Sequence, residues 1–199
     1  IYGENRGDVE FFDEKYCGYI DSNTLRAGYP ESKRCGEALC QAYKKQENLD
    51  VVIPRFTRSY GPTMLKTDTK AISQFIKKAV YSENIVLKSA GTQYYSYTYV
   101  ADAVAGFLTV LLKGESGEAY NIADEASDIM LKDLAKIIAD FAGKEVIFEL
   151  PDETEKAGYS KATKARLDGA KLKKLGWKAR YDIKQGLERT MKMLTEISK

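Results

Sequence analysis

Short, uninterrupted apolar runs alternate with amphipathic stretches along this 199-residue chain, and that alternation confines it to the α/β class. Val51-Val52-Ile53 is a continuous apolar run and predicts a buried, parallel strand. Residues 85–87, 94–98, 119–122 and 146–150 read as further short strands. Between them, Ile72, Phe75, Ile76 and Ala79 repeat at helical spacing and predict a helix over 69–80. The same reasoning places helices at 30–45, 100–112, 132–141 and 183–197, with a short one from Asp168 to Leu175. Gly143 and Gly176 stand just past two of the helix ends, where a left-handed residue is favoured. Residues 1–28 and 152–166 show no period and read as irregular. The strands are too few for a complete doubly wound sheet.

Composition limits the chemistry. The chain has no histidine, which excludes His-based triads, His-ligated zinc and imidazole acid/base catalysis. A catalytic base must then be Asp, Glu, Lys, Tyr or Cys. A net charge of +2 gives no electrostatic footprint for nucleic acid. The odd set Cys17, Cys35 and Cys40 lacks CxxC spacing, and is expected to remain as free thiols in a reducing, cytoplasmic setting. No apolar run is long enough to cross a membrane, and no signal peptide is visible. Neither GxGxxG nor GxxxxGK[ST] occurs. The chain opens on Ile-Tyr-Gly without Met, which suggests a processed chain or a piece of a longer one.

Tyr29 and Lys33 stand four apart at the start of a helix and share a face. An ammonium beside a phenol favours the phenolate, so this is the best acid/base pair available without histidine. A plain surface pair has the same spacing. Tyr95, Tyr97 and Tyr99 would share one face of a strand, able to stack on a nucleobase or, more simply, to fill a core. Asp102 reads as a first-turn helix acid and Trp177 as a structural plug.

The motifs also form an ordered series. Tyr2-Gly3 is followed by Tyr29-Pro-Glu-Ser-Lys33, Pro54-Arg55, Tyr60-Gly61-Pro62, Gly91-Thr92-Gln93, Tyr99-Val100-Ala101-Asp102, Tyr120-Asn121-Ile122 and Leu175-Gly176-Trp177. This series resembles the extended short-chain dehydrogenase/reductase family. Within that family it is most similar to NAD-dependent sugar-nucleotide epimerases, dTDP-glucose 4,6-dehydratases and UDP-glucuronate decarboxylases. The resemblance implies the C-terminal portion of a Rossmann-type fold plus a small α/β substrate lobe. Residues 1–62 would be the Rossmann remnant. Residues 63–199 would be mainly the substrate lobe, with some segments returning. The dinucleotide-binding half and a catalytic hydroxyl residue would precede Ile1.

By the same resemblance Tyr29 would be the base, and Lys33 would bind the nicotinamide ribose. Pro54 and Arg55 would lie beside NAD. Arg58, Lys88, Tyr95 and Arg166 would meet the nucleotide sugar. Arg58 stands where the family usually has Asn, and Tyr95 where an Arg commonly meets the diphosphate, so Arg58 would have taken over the anion. A homodimer is implied, as is inactivity of this portion alone. The alternative is a non-catalytic ligand-binding or dimerisation module.

Overall fold

The computed structural model describes residues 1–5, 7–25, 27–149 and 164–197. Most of the expected 152–166 loop therefore lies outside the described residues. Helix α1 (Gly28–Glu47) is followed by strands β1 (Ile53–Phe56) and β2 (Arg58–Tyr60) and helix α2 (Ala71–Val80). Next come β3 (Ile85–Leu87), β4 (Tyr94–Tyr99), α3 (Val100–Lys113) and β5 (Ala119–Ile122). A 3-10 turn at Glu125–Ser127 leads to β6 (Asp128–Met130), α4 (Leu131–Ala142) and β7 (Val146–Phe148). The described chain closes with β8 (Lys164–Ala165), α5 (Ala170–Lys174) and α6 (Ile183–Ile197).

The described strands form three sheets. β1 pairs with β5 in parallel, with Ile53 opposite Ala119 and Phe56 opposite Ile122. β4 is the hub of the second sheet: β2 and β8 run parallel to it and β6 antiparallel. β3 and β7 form a parallel pair.

Periodicity explains the larger core. The buried residues Ile72, Phe75, Ile76 and Ala79 of α2 meet Leu134, Ala135, Ile138 and Ala139 of α4, and Leu187 and Met191 of α6. All three helices cover the β4 face that carries Tyr95, Tyr97 and Tyr99, which are 7%, 2% and 4% exposed. α6 opens with a reciprocal cap: the Gln185 backbone N–H donates to Asp182 Oδ1 (2.8 Å) and the Asp182 N–H to Gln185 Oε1 (3.1 Å). Gly186 lets this helix touch β2, because a Cβ there would lie 2.1 Å from the Tyr60 hydroxyl oxygen.

A smaller core joins Val110, Tyr120, Ile122, Leu172 and Trp177 under the β1–β5 pair. Trp177 is buried here, and its indole N–H donates to the Asp102 carbonyl (3.2 Å). Asp102 is a first-turn residue of α3, but its carboxylate serves a different segment. It accepts the backbone N–H groups of Arg180 (2.9 Å) and Tyr181 (3.0 Å).

The expected strand over 146–150 ends at Phe148. β2, β6 and β8 were not expected. Each has two or three residues, too few to show alternation, and each exists through its pairing with β4.

Candidate active site

The direction of α1 follows from what its side chains touch. Near its end, Lys44 Nζ donates to the Ser116 carbonyl (2.6 Å) and Gln41 Nε2 to the Gly117 carbonyl (2.7 Å), both just before β5 begins. One turn earlier, Glu37 meets Arg55, the third residue of β1. The helix thus runs antiparallel to β1 and β5. At about 1.5 Å per residue, Lys33 lies one turn, and Tyr29 two turns, further toward the carboxyl ends of these strands. That edge of an open α/β sheet is where ligands bind.

At that edge Lys33 Nζ stands over the Tyr29 ring, 5.3 Å from its centroid. Tyr29 is 75% exposed, and Lys33 is exposed as well. Neither the phenol nor the ammonium has a hydrogen-bond partner among the described residues, so both are available to a ligand. A phenol and an ammonium side by side suit the hydroxyl groups of a dinucleotide's ribose.

Arg55 has a different place. Its Nε and Nη2 pair bidentately with Glu37 (2.8 and 2.6 Å), and Nη1 donates to the Tyr2 hydroxyl (3.0 Å) and the Glu14 carbonyl (2.9 Å). Glu37 and these partners hold the guanidinium pKa above its ordinary value, against the opposing effect of burial. The side chain is therefore spent within the protein, and only its main chain remains for a ligand. Pro54, half-buried, pairs with Tyr120 in the β1–β5 register.

Behind Arg55 lies a buried polar network that the sequence did not reveal. The Tyr2 hydroxyl donates to Asn121 Oδ1, and burial pushes its pKa up to about 12. Asn121 is fully buried, and its Nδ2 donates to the carbonyls of Phe12 (2.9 Å) and Asp168 (3.0 Å). Arg34 fastens the same N-terminal segment to α1 through the carbonyls of Ile1 (2.9 Å) and Gly18 (2.6 Å). The described residues of this irregular N-terminal segment are thus held by long-range hydrogen bonds, which leave no trace in local periodicity.

Three of the four expected substrate residues lie around β4, Arg58 with Tyr95 and Arg166 beside Tyr94. Arg58 and Tyr95 are brought together: the guanidinium carbon lies 3.5 Å from the ring centroid. Burial raises the Tyr95 and Tyr97 pKa values, Tyr97 to about 12, and the Arg58 charge opposes both shifts. Arg166 sits between the rings of Phe11 (4.2 Å) and Tyr94 (4.4 Å) and pairs with Glu10 at 2.6 Å. Near it Asp128 accepts from the Ser96 hydroxyl (2.5 Å), and burial raises its carboxyl to about 6. Lys88 is exposed and lies one residue past β3.

Residues 1–123 match the NAD dependent epimerase/dehydratase family. The chain belongs to that family. UDP-glucuronic acid decarboxylase 1 of Xenopus tropicalis is 29% identical over 195 residues, covering 96% of this chain and 44% of the relative. UDP-glucuronic acid decarboxylase 2 of Arabidopsis thaliana is 30% identical over 175 residues, covering 87% of this chain and 38% of the relative. Among solved structures, the UDP-glucose 4-epimerase of Thermotoga maritima with UDP-glucose aligns at a TM-score of 0.85 and 22% identity. It covers 100% of this chain and 61% of that one. The dTDP-glucose 4,6-dehydratase of Bacillus anthracis in complex with NAD aligns at 0.80 and 23%, covering 98% and 58%. This family chain therefore spans less than half the length of these curated relatives and about three fifths of the solved neighbours. The Rossmann-type α/β assignment holds for the part present, and NAD is the family's cofactor. Among the described residues, no helix is long and apolar enough to cross a membrane.

Proposed function

We propose that this chain carries the Tyr/Lys pair and the substrate-binding lobe of an NAD-dependent nucleotide-sugar epimerase, dehydratase or decarboxylase. The observation that carries this reading is the Tyr29–Lys33 pair, its polar atoms without described partners, at the carboxyl edge of the β1–β5 sheet. Family membership supports it.

In this reading Tyr29 takes the proton from a sugar hydroxyl. Lys33 donates to the ribose hydroxyls of the cofactor, and the main chain of Pro54 and Arg55 borders the same crevice. NAD, when bound, supplies the hydride acceptor that oxidation of an alcohol requires. Lys88 adds positive charge to the substrate side, and Arg166, paired with Glu10, borders it. The β1–β5 pair with α1 forms the cofactor-side lobe, and the sheet around β4 with α2, α4 and α6 forms the substrate-side lobe. α5 and Trp177 return to the first.

A homodimer belongs to the proposal. α1 buries none of its own residues and exposes Leu39 and Tyr43, a face suited to a second copy. So does a cytoplasmic setting, which the free Cys17, Cys35 and Cys40 suit. The chain taken alone is expected to be inactive.

The test is product analysis of the full-length protein incubated with NAD and, separately, UDP-glucuronate, UDP-glucose and dTDP-glucose. Conversion of one of them is expected. No conversion of any, with the protein folded, overturns the reading.

A further inference from the structure

One arginine is flanked by two carboxylates where β6, β4 and β8 lie side by side. Ser96 of β4 pairs with Asp128 of β6, and on the other side Tyr94 and Tyr95 pair with Lys164 and Ala165 of β8. One further step of that register sets Arg166 beside Ser96, so Asp128, Ser96 and Arg166 stand in a row on one face of the sheet. Hydrogen bonds run along the row. The Leu167 backbone N–H donates to Ser96 Oγ (2.9 Å), and the Ser96 hydroxyl donates to Asp128 Oδ1 (2.5 Å). Glu10 meets Arg166 Nη2 at 2.6 Å from the N-terminal segment, and the guanidinium lies between the Phe11 and Tyr94 rings. The Phe12 N–H donates to the Arg166 carbonyl (2.8 Å) and the Asp168 N–H to the Phe12 carbonyl (2.9 Å). Arg166 thus clasps the N-terminal segment onto the β4 sheet.

The clasp has an unfinished side. Asp128 Oδ2 and Arg166 Nε are both buried, and neither has a hydrogen-bond partner among the described residues. A buried acceptor and a buried donor left unpaired are each costly, and a bond between them removes both penalties. Residues two strands apart start about 10 Å from each other, a gap that an arginine and an aspartate side chain together span. Protonation decides whether the bond is worth forming. Burial raises the Asp128 carboxyl to about 6, with the Ser96 bond and Arg166 opposing the rise and Glu125 and Asp124 of the 3-10 turn adding to it. Below that pH Asp128 is neutral and Glu10 holds the guanidinium. Above it, the two carboxylates compete on unequal terms. Glu10 is 73% exposed, so water competes with the arginine for it. Asp128 ionises in a poorly hydrated place, where an opposite charge counts for more.

We propose that Asp128 is a proton-linked competitor of Glu10 for Arg166, so that its ionisation draws the guanidinium toward β6 and loosens the clasp on the N-terminal segment. The proposal rests on contacts within the chain and is independent of the nucleotide-sugar reading.

The test is NMR of the Asp128 carboxyl carbon in the full-length protein with labelled aspartate, the signal being assigned by its loss in Asp128→Asn. The parent midpoint is expected at about pH 6. Glu10→Gln releases Arg166 to Asp128 and should lower the midpoint by about half a pH unit to one unit. Arg166→Gln should raise it by about as much, and Glu10→Gln added to Arg166→Gln should then leave it in place. If Glu10 acted only as a distant charge, its loss would lower the midpoint equally in both backgrounds, and that result overturns the proposal. So does a midpoint that Glu10→Gln leaves unmoved in the parent. Amide exchange gives a second readout that needs no change at Arg166. The protection factor of the Phe12 amide should fall about threefold from pH 5 to pH 8 in the parent and stay level in Asp128→Asn. An equal fall in both proteins, or no fall in the parent, overturns the proposal.

Discussion

Replacing Arg55 by Met tests whether this residue serves the fold or a ligand. The guanidinium forms two short bonds to Glu37 and two more to Tyr2 and the Glu14 carbonyl. The side chains of Arg55 and Glu37 are only 13% and 23% exposed, so the substitution leaves a largely buried carboxylate without its partner. Breaking a buried pair in this way costs about 3–5 kcal/mol, and the remaining exposure brings the expected loss to about 2–3 kcal/mol. Urea unfolding of the full-length protein would measure it. Glu37→Leu should cost less, because Arg55 keeps two acceptors. The double variant should cost about 1–2 kcal/mol less than the sum of the single changes, since the two residues are in direct contact. Additive losses, or an Arg55→Met loss below about 0.5 kcal/mol, would refute the view that this pair anchors α1 on β1.

Two further perturbations follow from burial and close approach. Asp128 has its carboxyl raised from 3.8 to about 6 by burial, with the Ser96 hydrogen bond and Arg166 opposing the shift and Glu125 and Asp124 adding to it. The native state then binds a proton more readily than the unfolded chain, so the stabilisation is complete below about pH 4 and is lost as pH rises through about 6. Asp128→Asn should therefore be the more stable protein at pH 8, by about 1 kcal/mol after allowing for partial exposure. The advantage should fade by pH 4; an advantage that does not change with pH would contradict it. Gly186→Ala should destabilise by about 1–3 kcal/mol through its clash with the Tyr60 hydroxyl oxygen, with Tyr60→Phe recovering part of the loss. Thermal unfolding of the single and double variants checks both points, and equal loss in the two backgrounds would place the strain elsewhere.

Sequence legibility followed the range of the interaction. α2, α4 and α6 were readable because Ile72, Phe75, Ile76 and Ala79, and their equivalents, repeat at helical spacing and do face one core. The shared face of Tyr29 and Lys33 was readable for the same reason. The Arg55–Glu37 pair was not, because both residues are ordinary charges in sequence and meet only when α1 lies back along β1. Arg58 and Tyr95 could each be singled out, but their stacking depends on the pairing of β2 with β4. The placement of the described N-terminal residues depends on Asn121 and Arg34 reaching their backbone from distant elements.

Tyr29→Phe in the full-length protein is the most direct test of the account. The substitution removes one exposed hydroxyl with no described hydrogen-bond partner, so stability and NAD content should stay close to those of the parent. Turnover of the nucleotide sugar should fall by about 100-fold or more, the range expected for losing a positioned acid/base group. Turnover at the parent rate, with NAD still bound, would contradict the assignment of Tyr29 as the base.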